Sequence, residues 1–308
     1  MANSHSELQI RYQNALSGLV EQLRLDRTVL AAILCGSLAN DEVWEKSDID
    51  LLLVCSEDLK EGKHLDLVAD GIVVHAILQP RLKFKALMQR SLGSSFFHSM
   101  LSKSTLLYSL DDSIAELYEN IHLQGARDRE IQLLQFATTA LPTLTKAQKW
   151  YRVKSDLHYS FLWIMKTIEA LAKIEVVQHG EIVGREVVLQ ALAHNPAVFG
   201  QLYCELIEQP KTPEAIAAAL AAIDAYLHKN LNIFQPILDF LREANGPRSS
   251  TEIDHYFQKQ MGVESATAAC EWLADSGVIE RLSSPTRLTP KSRVDVEEAA
   301  YYYGEESV

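Results

Sequence analysis

Residues 33–54 read ILCGSLANDEVWEKSDIDLLLV, two apolar runs separated by a polar loop, and the rest of the chain is arranged around them. The first run ends in Gly36-Ser37. The second opens at Ser47-Asp48-Ile49-Asp50 and continues through Leu51-Leu52-Leu53-Val54, with the length and bounds of a buried strand. Side chains alternate along a strand with period two, so Asp48 and Asp50 share one face while Ile49 and Leu51 share the other. Two carboxylates therefore stand together at a strand edge.

Such a pair suits a hard cation. Magnesium takes oxygen ligands at about 2.0–2.1 Å and usually draws only one or two carboxylates from protein, leaving the rest of its shell to water and phosphates. Gly36 permits a turn that a β-carbon would oppose, which lets the amide and hydroxyl of Ser37 approach a phosphate. Lys46, beside the acidic pair, is either a cation for a triphosphate or a solvated loop charge.

In order and spacing these residues resemble the signature of the DNA polymerase β-like nucleotidyltransferase superfamily: a strand, Gly-Ser, a spacer, then Asp-x-Asp among hydrophobic residues. Here Ser37 precedes Asp48 by eleven positions. The resemblance is nearest to the bacterial branch of aminoglycoside and minimal nucleotidyltransferases and spans about the first 110 residues. It implies magnesium-dependent transfer of a nucleoside monophosphate from a triphosphate, with ATP expected. Asp48 and Asp50 would be catalytic and metal-binding, and Gly36, Ser37 and Lys46 would hold the nucleotide. It also implies a third carboxylate on the next strand, and there this chain departs, because the matching position is His75. An imidazole replaces a hard oxygen donor poorly, yet it can serve as a general base worth about 10²–10⁴ in rate. The alternative is a sheet-edge histidine satisfied by a backbone group. Asp70 is a weaker substitute for the missing carboxylate because it sits on a turn.

A chain of 308 residues suits two or three domains, and its 47% hydrophobic content is ordinary for a globular protein. The formal charge of −12 gives no general attraction to nucleic acid or to an anionic membrane. Cys35, Cys55, Cys204 and Cys270 fall in no metal-ligand or Cys-x-x-Cys spacing and read as reduced, packed thiols. No basic region followed by an apolar core opens the chain, and no run approaches the roughly 20 apolar residues of a membrane span, so a cytoplasmic protein is expected.

Along the chain, Leu8, Tyr12, Leu16, Leu19 and Leu23 recur at helical spacing and predict an opening amphipathic helix. Strands are expected at 29–34, 50–54, 71–78 and 104–109, with a turn at Asp70-Gly71 and a helix capped by Asp111-Asp112-Ser113. From 125 to about 232 the pattern is helical. It includes a long helix across 150–173 and one begun by Thr212-Pro213-Glu214 with a stripe of Ile216, Leu220, Ile223 and Leu227. From 233 onward, three short helices are followed by a hairpin expected at Val278–Leu282 and Arg287–Thr289 around a Ser-Ser-Pro turn, a winged-helix-like pattern. The fold class expected is thus α+β: a small mixed-sheet nucleotidyltransferase domain (1–124), a helical bundle (125–232) and a winged-helix-like domain (233–308). By analogy with aminoglycoside nucleotidyltransferases, the bundle would close over the cleft.

Further polar groups have two readings each. Ser94, Ser95 and His98 either contact a nucleotide or cap a helix. Lys154, Asp156 and His158, with Tyr151 and Tyr159, either line the cleft or belong to an ordinary amphipathic helix. The third helix of the last segment carries Glu264, Glu271 and Asp275 and no basic residue, so specific DNA binding is not expected. Only the hairpin, with Arg281, Arg287, Lys291 and Arg293, is basic. The expected partners are a nucleoside triphosphate and a hydroxyl-bearing acceptor, either a small molecule or a protein side chain, and a homodimer is compatible with the sequence. The rival reading is a catalytically degenerate nucleotide sensor that acts through the winged helix.

Overall fold

Helix α1 (Ala2–Leu25) leads into strand β1 (Val29–Cys35), which turns through a short helical segment, Gly36–Ala39, towards β2 (Ile49–Cys55). A hairpin of β3 (Lys63–Ala69) and β4 (Ile72–Pro80) follows, then α2 (Arg81–Arg90), β5 (Thr105–Ser109) and α3 (Asp112–Glu119). The strands form one mixed sheet in the order β3-β4-β2-β1-β5; β2 and β4 run parallel and the other pairs antiparallel. The structure, a computed structural model, describes residues 2–39, 43–56, 59, 62–90, 100–101, 103–120 and 126–304. Ser94, Ser95 and His98 lie outside the described residues.

Alternation along the strands builds a core on each side of this sheet. Ile49, Leu51 and Leu53 of β2, with Val74 and Ala76 of β4, pack on Tyr12, Ala15 and Leu16 of α1. Leu52 and Val54 face the opposite way, onto Phe84 and Met88 of α2 and Ile114 of α3. Each fully buried Leu or Ile contributes about 1.5–3 kcal/mol, so the register of β2 is strongly fixed, since a one-residue slip would exchange its two faces. That register dictates where Asp48 and Asp50 emerge.

The sequence pattern predicts four of these strands; β3 is the fifth. The turn at Asp70-Gly71 is present, with both residues at positive φ (48° and 76°), the conformation that lets a two-residue turn follow strand twist. It joins β4 to a partner strand in which Leu65, Leu67 and Ala69 point inward and His64, Asp66 and Val68 outward.

Asp111 caps α3, accepting from the Ser113 amide at 2.9 Å and pairing with Arg81 of α2. Burial opposes its ionisation, but hydrogen bonds from Ser113 and Arg81 outweigh this and lower its pKa from 3.8 to about 2. The stabilisation is therefore complete above the ordinary carboxylate pKa and is lost as pH falls towards 2. We expect Asp111→Ala to cost about 1–2 kcal/mol at neutral pH and to approach the wild type only as pH falls through about 2. Urea titrations across that range check this.

The chain divides into two compact units, Met1–Gly125 and Ala126–Val308. In the second, α4 (Ala126–Arg152) and α5 (Leu157–Gln178) pair along their length, and α6 (Pro213–Lys229) buries Ile216, Leu220, Ile223 and Leu227. The single helix expected across 150–173 is broken: Ser155 adopts positive φ, and Asp156 caps α5 by accepting from the Tyr159 amide at 2.9 Å. Asp156 thus has a local structural task.

Next come α7 (Gln235–Glu243), β6 (Arg248–Ser249), α8 (Ser250–Met261), α9 (Ala266–Asp275), β7 (Glu280–Thr286) and β8 (Val296–Tyr302), the element order of a winged helix with sheet order β6-β8-β7. The hairpin is longer than expected. Ser283-Ser284-Pro285 lies within β7 rather than at the turn, and the return strand is β8. Proline fits there because β7 is an edge strand. Phe257 of α8, Leu273 of α9 and Tyr301 of β8 share one apolar core with Leu134 of α4 and Ile168 of α5. Helices from both sides of residue 232 therefore enclose the same interior. Among the described residues, no helix is long and apolar enough to cross a membrane.

Candidate active site

Asp50 is the second residue of β2, and the sheet aligns it with Cys35 of β1 on one side and His75 of β4 on the other. His75 is in turn aligned with Asp66 of β3. Asp66, His75 and Asp50 thus form one cross-strand row, and Asp48, two residues upstream, lies on the same face as Asp50. The imidazole bridges two carboxylates: Nδ1 lies 2.7 Å from Asp66 Oδ1, and Nε2 lies 2.8 Å from Asp48 Oδ2. His75 and Asp48 are each 45% exposed, and Asp66 is 78% exposed. The hydrogen bond to Asp66 holds the His75 pKa above its usual value; burial opposes this, and the charges of Asp48 and Asp66 add to the rise. The alternative of a histidine satisfied by backbone is not what the geometry shows, because both ring nitrogens meet carboxylates.

The β1 side of the pair is shaped by Gly36. It has φ of +71°, and a β-carbon there would stand 2.1 Å from Asp50 Oδ2, closer than any real contact. The glycine is required twice, by its own backbone and by the carboxylate packed against it. Ser37 Oγ lies 3.3 Å from Ser47 Oγ, which accepts from the Trp44 amide at 3.1 Å, and the Tyr12 hydroxyl donates to the Ser47 carbonyl at 2.6 Å. Helix α1 thereby anchors the segment that presents Asp48, and Ser47 links it to the Gly36-Ser37 turn. We expect Gly36→Ala to cost about 1–2 kcal/mol through its left-handed backbone and to weaken nucleotide binding beyond what the lost stability explains. Paired denaturation and nucleotide titrations separate the two.

Lys46 is exposed, with Nζ 5.8 Å from the Trp44 ring centroid. Cys35, beside Asp50, is buried, and burial with the nearby carboxylate pushes its thiol up to about 12, which removes it as a nucleophile. Asp66 was missed at the sequence level because its strand was. Among the described residues, no group of three or more His, Cys, Asp or Glu side chains is placed to hold a metal ion. The donor chemistry still fits magnesium, which needs no more than one or two protein carboxylates, and Asp48 and Asp50 share a face at the half-exposed rim.

Residues 18–113 match the family model described as polymerase beta, nucleotidyltransferase, a span that includes Gly36, Ser37, Asp48, Asp50, Asp66 and His75. The N-terminal unit is a nucleotidyltransferase domain of the DNA polymerase β-like superfamily. The fold is also similar to that of a nucleotidyltransferase-like protein from Exiguobacterium sibiricum 255-15, known from a 1.90 Å crystal structure. That likeness has a TM-score of 0.61 at 15% identity and covers 94% of this chain and 98% of the other. At that identity the likeness speaks for the fold, and it extends across both units. No curated protein matches the chain.

Proposed function

We propose that the protein is a magnesium-dependent nucleotidyltransferase that moves a nucleoside monophosphate from a triphosphate, ATP in the first instance, to a hydroxyl acceptor. The observation that carries this reading is the juxtaposition at the end of β1 and the start of β2, where Gly36 leaves room for the Asp50 carboxylate and Asp48 shares its face. Asp48 and Asp50 would hold the metal, which supplies charge neutralisation to the phosphates, and the Gly36-Ser37 turn would cradle them. Phosphoryl-type transfer is mostly positioning and electrostatics. The acceptor oxygen bonds to the α-phosphorus as the bond from that phosphorus to the α,β-bridging oxygen breaks. Pyrophosphate leaves with the bridging oxygen, and the hydroxyl proton passes to His75. In-line attack puts the acceptor opposite the pyrophosphate, hence on the β4 side when the phosphates lie over Gly36-Ser37.

One observation favours the sensor reading: Asp48, a proposed metal ligand, already faces the His75 imidazole. The C-terminal segment gives that reading little support, since Arg281 pairs with Asp275 at 2.9 Å and Arg287 with Asp295 at 3.0 Å, leaving these basic side chains locally neutralised. Titration with ATP in the presence and absence of magnesium, followed by a pyrophosphate-release assay, tests the proposal. Magnesium-dependent binding with release supports transfer, and binding without release supports the sensor.

A further inference from the structure

We propose that Asp66 is a positioning residue of this site, and that the Asp66–His75 pair takes the place of the third carboxylate the sequence lacks. The inference rests on the transferase reading and deepens it. Three observations carry it. The sheet sets Asp66, His75 and Asp50 in one row across β3, β4 and β2. The imidazole is held at both ends, by Asp66 at Nδ1 and by Asp48 at Nε2, so it cannot turn without giving up both contacts. Asp66 itself is 78% exposed on the edge strand β3. Aspartate is depleted in strands, and an exposed ion pair is worth only about 0–1 kcal/mol, so stability gives a weak reason for it to be there.

The chemical consequence lies in which nitrogen is available. A carboxylate on Nδ1 fixes the orientation of the ring, so that Nε2 is the nitrogen turned towards Asp48 and the reacting centre. A carboxylate at the His75 position would reach the centre directly. Here the carboxylate stands one strand further out, and the imidazole spans the gap. Ordinary cross-strand pairing of Asp with His is the competing explanation. It predicts a few tenths of a kcal/mol of stability and nothing else.

The test compares wild type, Asp66→Ala, Asp66→Glu, His75→Ala and the Asp66→Ala/His75→Ala double variant. It measures melting temperature, magnesium–ATP affinity by calorimetry, and release of pyrophosphate from ATP with water as the acceptor. Loss of an orienting partner of this kind costs about 10–100-fold. We therefore expect Asp66→Ala to lower the turnover number by that factor while leaving KM for ATP and the melting temperature unchanged. Asp66→Glu should recover most of the rate, and Asp66→Ala should add less than about twofold in the His75→Ala background, the signature of two residues acting as one unit. Wild-type turnover with Asp66→Ala equal to it, or equal losses from Asp66→Ala with and without His75, overturns the positioning role and leaves the transferase reading standing. A wild-type protein that binds magnesium–ATP but releases no pyrophosphate overturns both.

Discussion

Asp48→Asn and Asp50→Asn should each abolish magnesium-dependent triphosphate binding while the fold survives. Replacing partners that merely orient metal ligands typically costs about 10–100-fold, so removing the charge of a ligand itself should cost at least roughly 100-fold. Stability should change little at Asp48. It is 45% exposed, and its ion pair with His75 is a half-solvated contact of the kind worth about 1 kcal/mol or less. Calorimetric titration of ATP with magnesium, alongside circular dichroism melts, checks both halves. Affinity equal to wild type in both variants removes this pair from the metal site.

His75→Ala should slow transfer by about 10²–10⁴ with little change in triphosphate affinity, the loss expected when a general base is removed. The same residue predicts a pH effect. Its folded-state pKa is raised, chiefly by the hydrogen bond to Asp66. The stabilisation from its two ion pairs is therefore fully present below the ordinary histidine pKa of about 6.5 and is lost as pH rises through the raised value. The raised pKa favours the protonated form of the metal-free imidazole beside Asp48. A cation arriving at Asp48 opposes that protonation, so magnesium–ATP binding should release a proton. Binding heats in buffers of different ionisation enthalpy count it, and His75→Ala should bring the count to zero. His75→Asp, which restores a three-carboxylate arrangement, should tighten metal binding.

The sequence made the site's centre legible because its determinants are local. Gly36-Ser37, Asp48 and Asp50 lie on either side of one loop between two apolar runs, and strand alternation alone puts both carboxylates on one face. Period-two alternation along β4 puts His75 on one face with Val73 and Ile77, and its contact with Asp48 follows from the register with β2. Asp66 was lost one step earlier. Lys63–Ala69 alternates inward Leu65 and Leu67 with outward His64 and Asp66, and its first half, Lys63-His64-Leu65-Asp66, carries polar side chains in place of the continuous apolar run of β2. The Asp70-Gly71 turn was the available signal, because a two-residue turn with both residues at positive φ demands a strand on each side. The break between α4 and α5 escaped for a different reason. The apolar stripe continues through Tyr151, Leu162, Met165 and Ile168, and only the Asp156 cap marks the interruption. Pro285 was read as a turn because proline is excluded from central strands, and edge position is a property of the sheet that a local pattern does not carry.

The most direct measurement is the quantity of pyrophosphate released from ATP by wild type and by Asp48→Asn, each with magnesium and each with EDTA in its place. Release by wild type with magnesium alone, and none by the variant under either condition, is the predicted result. Equal release by the two proteins, or release that persists in EDTA, would contradict a magnesium-dependent nucleotidyl transfer centred on Asp48 and Asp50.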